Sequence, residues 1–192
     1  MKKRITALFF AVIMLLSCFA CAKPDEGELI AEYKALYEKS LLINDIIYGG
    51  GLPYKGEYDL EGITETTYVE VSDESPYRTA AALEAAVLEV YTVELYEDVI
   101  KNTLFGSGEQ GMFANIPRYK ESNGVLLIDL NYKPFVNISG RCVLDEAYVV
   151  RSSAGGAVIG APYFVGEVRQ QKDKQIEMFL NDNGWRFDKF SL

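Results

Sequence analysis

Residues 175–190, QIEMFLNDNGWRFDKF, carry the clearest structural signal of the chain. Two strand-like runs, residues 175–180 and 185–190, flank a turn that contains Asn183 and Gly184. An Asn-Gly pair favours a tight hairpin, because both central residues of a type I′ turn need positive φ. The chain is therefore predicted to close with an antiparallel hairpin.

The residues before this hairpin have the same strand character. A second Asn-Gly turn, at Asn123 and Gly124, separates two further apolar runs. The strand-like runs upstream of residue 175 are residues 113–119, 125–132, 141–151 and 157–171. Because no helical pattern intervenes, they predict an antiparallel meander from residue 113 onward.

The N-terminal half has a helical pattern instead. From Glu28, residues recur along one stripe at steps of three and four: Leu29, Tyr33, Leu36, Tyr37, Leu41, Asn44 and Ile47. Gly49-Gly50-Gly51 should end this helix, since glycine adopts the left-handed cap conformation easily. Alternation over residues 66–71 predicts a short strand. Two more helices, over residues 79–91 and 93–105, should meet at Thr92, which can cap the second.

These elements together predict an α+β fold in which N-terminal helices pack on a curved antiparallel sheet. The chain divides into a signal peptide (residues 1–17), a short tether (residues 18–27) and one domain (residues 28–192). A domain of this length with 49% apolar residues has enough material for a single core.

The N-terminal sequence predicts an export signal. Three basic residues precede the apolar run 5–16, which is too short for a helix that spans a bilayer core of about 30 Å. Leu15-Leu16-Ser17-Cys18 resembles the bacterial lipoprotein box, which implies cleavage before Cys18 and acylation of its sulfur. Cys21, which follows Ala20, is the alternative lipidated residue. An ordinary signal peptide without a lipid is the other alternative.

Acidity excludes some partners. Removal of residues 1–17 takes the formal charge from −9 to −12, which argues against nucleic acid and against electrostatic binding to anionic headgroups. The lipid would then be the sole membrane attachment, holding the protein at the cell surface on the cytoplasmic membrane. Residues 57–98 hold twelve carboxylates and one basic residue, Arg78. This stretch is a solvated acidic face or a docking surface for a basic partner.

The composition also narrows the possible chemistry. The chain has no histidine, which removes histidine triads and the commonest neutral metal ligand. No metal-binding or cofactor motif is present, so we expect neither. Cys142 lies in a strand-like run and is interpreted as a buried, inert thiol, with a Cys21–Cys142 bridge as the alternative.

The order of elements, closing on Gly184-Trp185-Arg186-Phe187-Asp188, is similar to that of cystatin-like and NTF2-like folds. Residues 80–190 also resemble uncharacterised secreted lipoproteins of Gram-positive bacteria. That resemblance rests on Val90-Tyr91-Thr92, Leu104-Phe105, Arg118-Tyr119 and a final strand of the Trp-Arg-Leu-Asp type, in which Phe187 replaces leucine. Tyr77-Arg78 and the helix after it are similar to secreted inhibitors of cell-wall DL-endopeptidases.

An NTF2-like cone implies a pocket between helices and sheet. The candidate ligand-binding residues are Arg118, Tyr119, Arg186 and Asp188, because a guanidinium in such a pocket suits a carboxylate or another anion. Alternatively, Arg186 and Asp188 form ordinary surface ion pairs across the sheet. Trp185 is expected to fill the core.

The residues favour a binding module over an enzyme. We expect a lipid-anchored domain that binds an envelope protein, a cell-wall hydrolase or a small ligand. One alternative is an NTF2-like pocket enzyme that uses a carboxylate and tyrosines on a small molecule. Another is a purely structural role in the envelope.

Overall fold

A computed structural model describes residues 23–106, 116–133 and 140–190. The predicted signal peptide and both candidate lipidation residues, Cys18 and Cys21, lie outside these ranges. Within them the protein is a mixed α+β structure, as predicted. None of the helices in the described ranges is long and apolar enough to cross a membrane.

The long N-terminal helix α1 runs over Glu26–Tyr48. The side chain of Asp25 caps its first turn by accepting hydrogen bonds from the amides of Gly27 and Glu28. The other helices lie further along the chain, after residue 79. They are α2 (Ala80–Leu88), α3 (Val93–Leu95), a π-helical turn (Tyr96–Ile100) and α4 (Lys101–Phe105). Thr92 caps α3 through its side chain, which confirms its predicted role.

The strands form three antiparallel sheets within the described ranges. Their bounds are β1 (Tyr68–Glu70), β2 (Tyr119–Ser122), β3 (Val125–Asp129), β4 (Gly140–Cys142), β5 (Tyr148–Ser152), β6 (Gly156–Ala161), β7 (Tyr163–Val165), β8 (Val168–Arg169), β9 (Lys174–Asn181) and β10 (Gly184–Phe187). The sheet orders are β1-β3-β2, β10-β9-β6-β5 and β4-β7-β8. The predicted closing hairpin is confirmed as the β9–β10 pair. Its turn differs from the predicted one, because Asp182 and Asn183 are the turn residues, Gly184 already begins β10, and Asn183 does not have positive φ.

Two of the long predicted strands are each broken. Residues 141–151 form β4 and β5, which belong to different sheets and are separated by a 3₁₀ turn at Leu144–Glu146. Residues 157–171 divide into β6, β7 and β8. Pro162 lies between β6 and β7, where its missing amide hydrogen cannot continue the ladder. The predicted single curved sheet is consequently replaced by separate sheets.

The core lies between α1 and the four-stranded sheet. The ring of Tyr33 on α1 meets Phe187 on β10 at a centroid distance of 6.0 Å, and both residues are fully buried. Tyr91, which follows α2, contacts Phe187 from another side at 6.4 Å. Trp185 is 7% exposed, consistent with its predicted place in the core. This aromatic cluster links α1, the segment after α2 and the final strand.

The chain leaves α1 through a crowded turn. Gly49 caps the helix with φ −105°, so the predicted left-handed cap is wrong. Among the three glycines 49–51, Gly51 is the one with positive φ, +81°. A Cβ at Gly51 would lie 2.5 Å from Nη2 of Arg118 and 2.7 Å from Cδ1 of Ile128. Only glycine fits here, because backbone conformation and space both exclude a side chain.

We expect Gly51→Ala to lower the free energy of unfolding by about 2–4 kcal/mol, combining the left-handed backbone cost with displacement of buried neighbours. Gly124→Ala is the matched control. Gly124 has φ +75° but nothing within 4 Å of its Cβ position, so only the backbone cost of about 1–2 kcal/mol applies. Urea unfolding measures both variants, and equal losses would contradict the role assigned to the crowding at Gly51.

Candidate functional site

Arg118 and Tyr119 lie together at the C-terminal end of α1. Arg118 donates from Nη1 to the carbonyl of Ile47 at 3.1 Å and from Nη2 to that of Gly49 at 2.6 Å. The hydroxyl of Tyr119 donates to the carbonyl of Ile46 at 3.0 Å. Both side chains are buried, Arg118 being 3% exposed. These bonds satisfy carbonyls that the end of a helix leaves without intrahelical partners.

The buried charge of Arg118 is balanced by dipoles and a ring. The C-terminus of a helix carries a partial charge of about −0.5 e, which attracts a guanidinium. The ring of Tyr132 lies 4.7 Å from Cζ of Arg118 and adds a cation–π contact. Within the described ranges, Nε of Arg118 is buried without a hydrogen-bond partner. Arg118 therefore serves the end of α1.

Arg186 occupies an equivalent position at the end of α2. Its Nε donates to the carbonyl of Leu88 at 2.6 Å. Nη1 donates to the carbonyl of Trp185 at 2.6 Å and Nη2 to that of Asn183 at 3.0 Å. The guanidinium thus joins the last carbonyl of α2 to the closing hairpin.

Asp188 bonds to a different element from Arg186. Its Oδ1 accepts a hydrogen bond from Oγ1 of Thr92 at 2.9 Å. The backbone reinforces this contact, since the amide of Thr92 donates to Phe187 at 2.9 Å and the amide of Phe187 donates to Val90 at 2.8 Å. The end of β10 is therefore fastened to the link between α2 and α3. The four sequence-predicted residues fall at two places, with Arg118 and Tyr119 at the end of α1 and Arg186 and Asp188 around the end of α2.

A cleft of about 510 Å³ opens beside Arg186. One wall comes from α1, one from Glu89 after α2, and one from the hairpin turn. Its lining consists of Glu32, Ala35, Leu36, Lys39, Glu89, Asn183, Gly184, Trp185 and Arg186. This volume falls within the range usual for small-molecule sites, about 300–1,000 Å³. We take this space, hereafter the Arg186 cleft, as the candidate functional site.

The charged groups in the Arg186 cleft come from distant parts of the chain. Nζ of Lys39 lies 3.2 Å from Oε2 of Glu89, and both side chains are more than half exposed. Glu32 lies on α1 two turns before Lys39 and is also exposed. Within the described ranges, neither Glu32 nor Arg186 has an oppositely charged side chain within 4 Å.

Sequence reasoning identified Arg186 but missed Glu32, Lys39 and Glu89. Positions 32, 35 and 39 have the spacing of one exposed face of α1. This spacing was the sequence signal that could have grouped Glu32 with Lys39. Nothing local to Glu89 connects it to that face, because the contact with Lys39 spans fifty residues.

A second group of titratable residues surrounds Cys142, which is a free, buried thiol as predicted. The amide of Cys142 donates to the hydroxyl of Tyr37 at 2.8 Å. Burial raises the pKa of both Tyr33 and Tyr37. Burial also lowers the pKa of Lys174, whose Nζ lies 5.0 Å from the ring centre of Tyr163. The Tyr37–Cys142 bond joins α1 to the small sheet β4-β7-β8, and Lys174 lies at the start of β9.

Part of the acidic stretch is neutralised by basic residues. Nζ of Lys55 lies 3.0 Å from Glu70 and 3.1 Å from Asp73, and Arg78 also pairs with Asp73. Hydrogen bonds from Lys55 lower the pKa of Asp73, and those carboxylates raise the pKa of Lys55. Both interpretations of residues 57–98, a solvated acidic face and a docking surface for a basic partner, are compatible with these exposed pairs.

Tyr48, at the end of α1, makes the free energy of unfolding depend on pH in the alkaline range. Burial raises its pKa to about 12, above the value of about 10 in an unfolded chain. Between these values the unfolded chain has released the proton while the folded protein keeps it. The free energy of unfolding should then fall by about 1.4 kcal/mol per pH unit from this residue, starting near pH 10.

Tyr48→Phe removes that contribution, so its loss of stability between pH 10 and 12 should be shallower than that of the wild type. Urea unfolding at several pH values measures the slopes. Tyr58→Phe is the control, since it alters a tyrosine that is 45% exposed. A Tyr48→Phe slope equal to that of the wild type would show that this hydroxyl does not ionise on unfolding.

Comparisons with known proteins add no identity to this geometry. No protein-family model matches the chain, and no curated protein is significantly similar to it.

Proposed function

We propose that the protein is an exported, lipid-anchored binding module that takes its ligand in the Arg186 cleft. The observation that carries this proposal is a cleft of about 510 Å³ that brings Lys39, Glu89 and Arg186 together beside Trp185. The lining of the cleft is mostly charged and polar, which suits a polar ligand.

The geometry of Arg186 supports reversible binding. Three bonds to carbonyl oxygens hold its guanidinium, so it loses little side-chain entropy when a ligand arrives. Lys39 and Glu89 form an exposed pair, which is worth only about 0–1 kcal/mol and opens readily. The cleft thus combines one held cation with two adaptable charges.

We propose further that the fold is of the cystatin-like or NTF2-like kind. Its support is one long helix, α1, against a four-stranded antiparallel sheet that ends in the β9–β10 hairpin. Proteins of this architecture can use the space between helix and sheet for a ligand. Here that interior is filled by Tyr33, Tyr91 and Phe187, and the cleft opens at its margin.

The proposed anchor determines where the cleft would work. If Cys18 carries the lipid, seven residues separate it from Glu26, so α1 would begin within about 30 Å of the membrane surface. Its ligand would then be a small molecule of the envelope, or an exposed part of an envelope protein or cell-wall hydrolase.

The enzyme alternative requires a buried carboxylate near tyrosine hydroxyls. Asp129 is the buried carboxylate of the described ranges, at 5% exposure. Burial raises the pKa of Tyr68, and the charge of Asp129 adds to that rise. Its Oδ1 accepts hydrogen bonds from the amides of Thr67 and Asn131 at 2.9 and 3.0 Å. This carboxylate holds two loops together, which favours the binding function.

Cys18→Ala should release the protein from the membrane fraction of its host cell, because the acyl chains would have no attachment. Cys21→Ala is the matched control and should remain in the membrane fraction. Cell fractionation and mass spectrometry of the N-terminal peptide measure the outcome. Release by Cys21→Ala alone would assign the lipid to Cys21, and retention of both variants would contradict the lipid anchor.

Ala35→Arg should abolish ligand binding, because it places a long side chain in the cleft from an exposed helix position. Ala31→Arg, one turn earlier and also exposed, is the control. Hydrogen–deuterium exchange of the full-length lipidated protein is measured with and without a small-molecule extract of the cell envelope. Protection of residues 32–39 and 183–186 should occur in the wild type and Ala31→Arg only. Its absence from the wild type, or its persistence in Ala35→Arg, would contradict binding in the cleft.

A further inference from the structure

We infer that the Arg186 cleft takes a small zwitterion, with a carboxylate at one end and an ammonium group at the other, such as a free amino acid or a dipeptide. This inference rests on the proposed binding function and adds the chemical class of the ligand.

The charges that line the cleft are balanced. Two cations, Lys39 and Arg186, and two carboxylates, Glu32 and Glu89, line the same cleft. Their formal charges cancel, so the cleft carries separated charges of both signs. A simple anion or cation would meet like charges as well as opposite ones, whereas a zwitterion can place each end beside its complement.

Arg186 is suited to the carboxylate. A guanidinium has five N–H donors, and the three bonds to backbone carbonyls leave one N–H on each terminal nitrogen. Two donors on neighbouring nitrogens match the two oxygens of a carboxylate. Within the described ranges, no carboxylate lies within 4 Å of Arg186 to compete for them.

Glu32 and Glu89 are suited to the ammonium group. Glu89 already holds an ammonium, that of Lys39, at 3.2 Å. A ligand ammonium can replace it at little cost, since the pair is exposed on both sides. Lys39 is then released to interact with the ligand carboxylate. Glu32 offers a second acceptor from the same wall.

The walls limit the rest of the ligand. Leu36 and Trp185, which are 5% and 7% exposed, are the large apolar residues of the lining. Gly184, at the hairpin turn, adds no side chain to the lining. A cleft of about 510 Å³ accommodates a compact molecule with short side chains.

The test is calorimetric titration of the full-length lipidated protein with alanylalanine, N-acetyl-alanylalanine and alanylalanine amide. The N-acetyl derivative removes the charge of the ammonium end and adds an acetyl group, whereas the amide removes the charge of the carboxylate end at nearly the same size. We expect the zwitterion to bind at least about tenfold more tightly than either derivative, because each blocked end loses a charge-assisted contact. Equal affinities for all three compounds, or no binding of alanylalanine, would overturn the inference.

Two variants locate each end of the ligand. Glu89→Gln should weaken the zwitterion about tenfold and leave the N-acetyl derivative unchanged, since only the zwitterion presents an ammonium group. Glu38→Gln, at an exposed position of α1 outside the cleft, is the matched control and should match the wild type. Arg186→Lys should weaken the zwitterion and the N-acetyl derivative alike, and a loss confined to one of them would contradict the assigned carboxylate contact.

If Arg186→Lys fails to fold because the end of α2 depends on the guanidinium, Glu89→Gln and the three ligands still decide the inference. Its failure is distinguishable from failure of the binding function. In one outcome, the envelope extract protects the wild type from exchange, Ala35→Arg abolishes this protection, and alanylalanine does not bind. The cleft would then be a binding site for another class of ligand, and the zwitterion inference would be overturned. Absence of both results would overturn the function and the inference together.

Discussion

The structure depends on the binding of an arginine guanidinium to the carbonyls at the end of a helix. Arg118 makes this contact at the end of α1, where it joins the helix to β2 and to the crowded turn at Gly51. Carbonyls at a helix end lack intrahelical partners, and the helix dipole makes them a favourable place for a buried cation. The contact therefore stabilises the buried guanidinium and at the same time gives the terminal carbonyls of α1 hydrogen-bond partners.

Arg186 repeats this interaction at the end of α2 and fastens the closing hairpin there. Asp188 and Thr92 add a second attachment a few residues away. With the Tyr33–Phe187 contact on the other side of β10, these bonds place the hairpin turn beside α1 and leave the Arg186 cleft between them. The cleft is a consequence of how the helix ends are satisfied.

A residue that supports the scaffold can also serve a ligand when its donors outnumber its structural bonds. Arg118 is buried at 3% exposure and faces the end of α1, so it is placed for support alone. Arg186 is half-buried, keeps two N–H groups and lines a cleft with both signs of charge. In the sequence, Arg118 and Arg186 were equivalent candidates for ligand binding. The structure distinguishes them, because only the side chain of Arg186 is partly exposed.

The sequence by itself determined the local elements and the α+β class. The amphipathic stripe of α1, the cap at Thr92 and the turn at Asn123-Gly124, where both residues have positive φ, depend on neighbours a few residues away, so they were predictable. The division of the strands into three sheets and the partners of Arg118 and Arg186 were decided only by the tertiary structure. The same holds for the contact between Lys39 and Glu89. The bonds of Arg118 to the end of α1, the bond of Arg186 to Leu88 and the Lys39–Glu89 contact join residues fifty or more positions apart. Their formation depends on how the completed helices and sheets pack rather than on any local pattern.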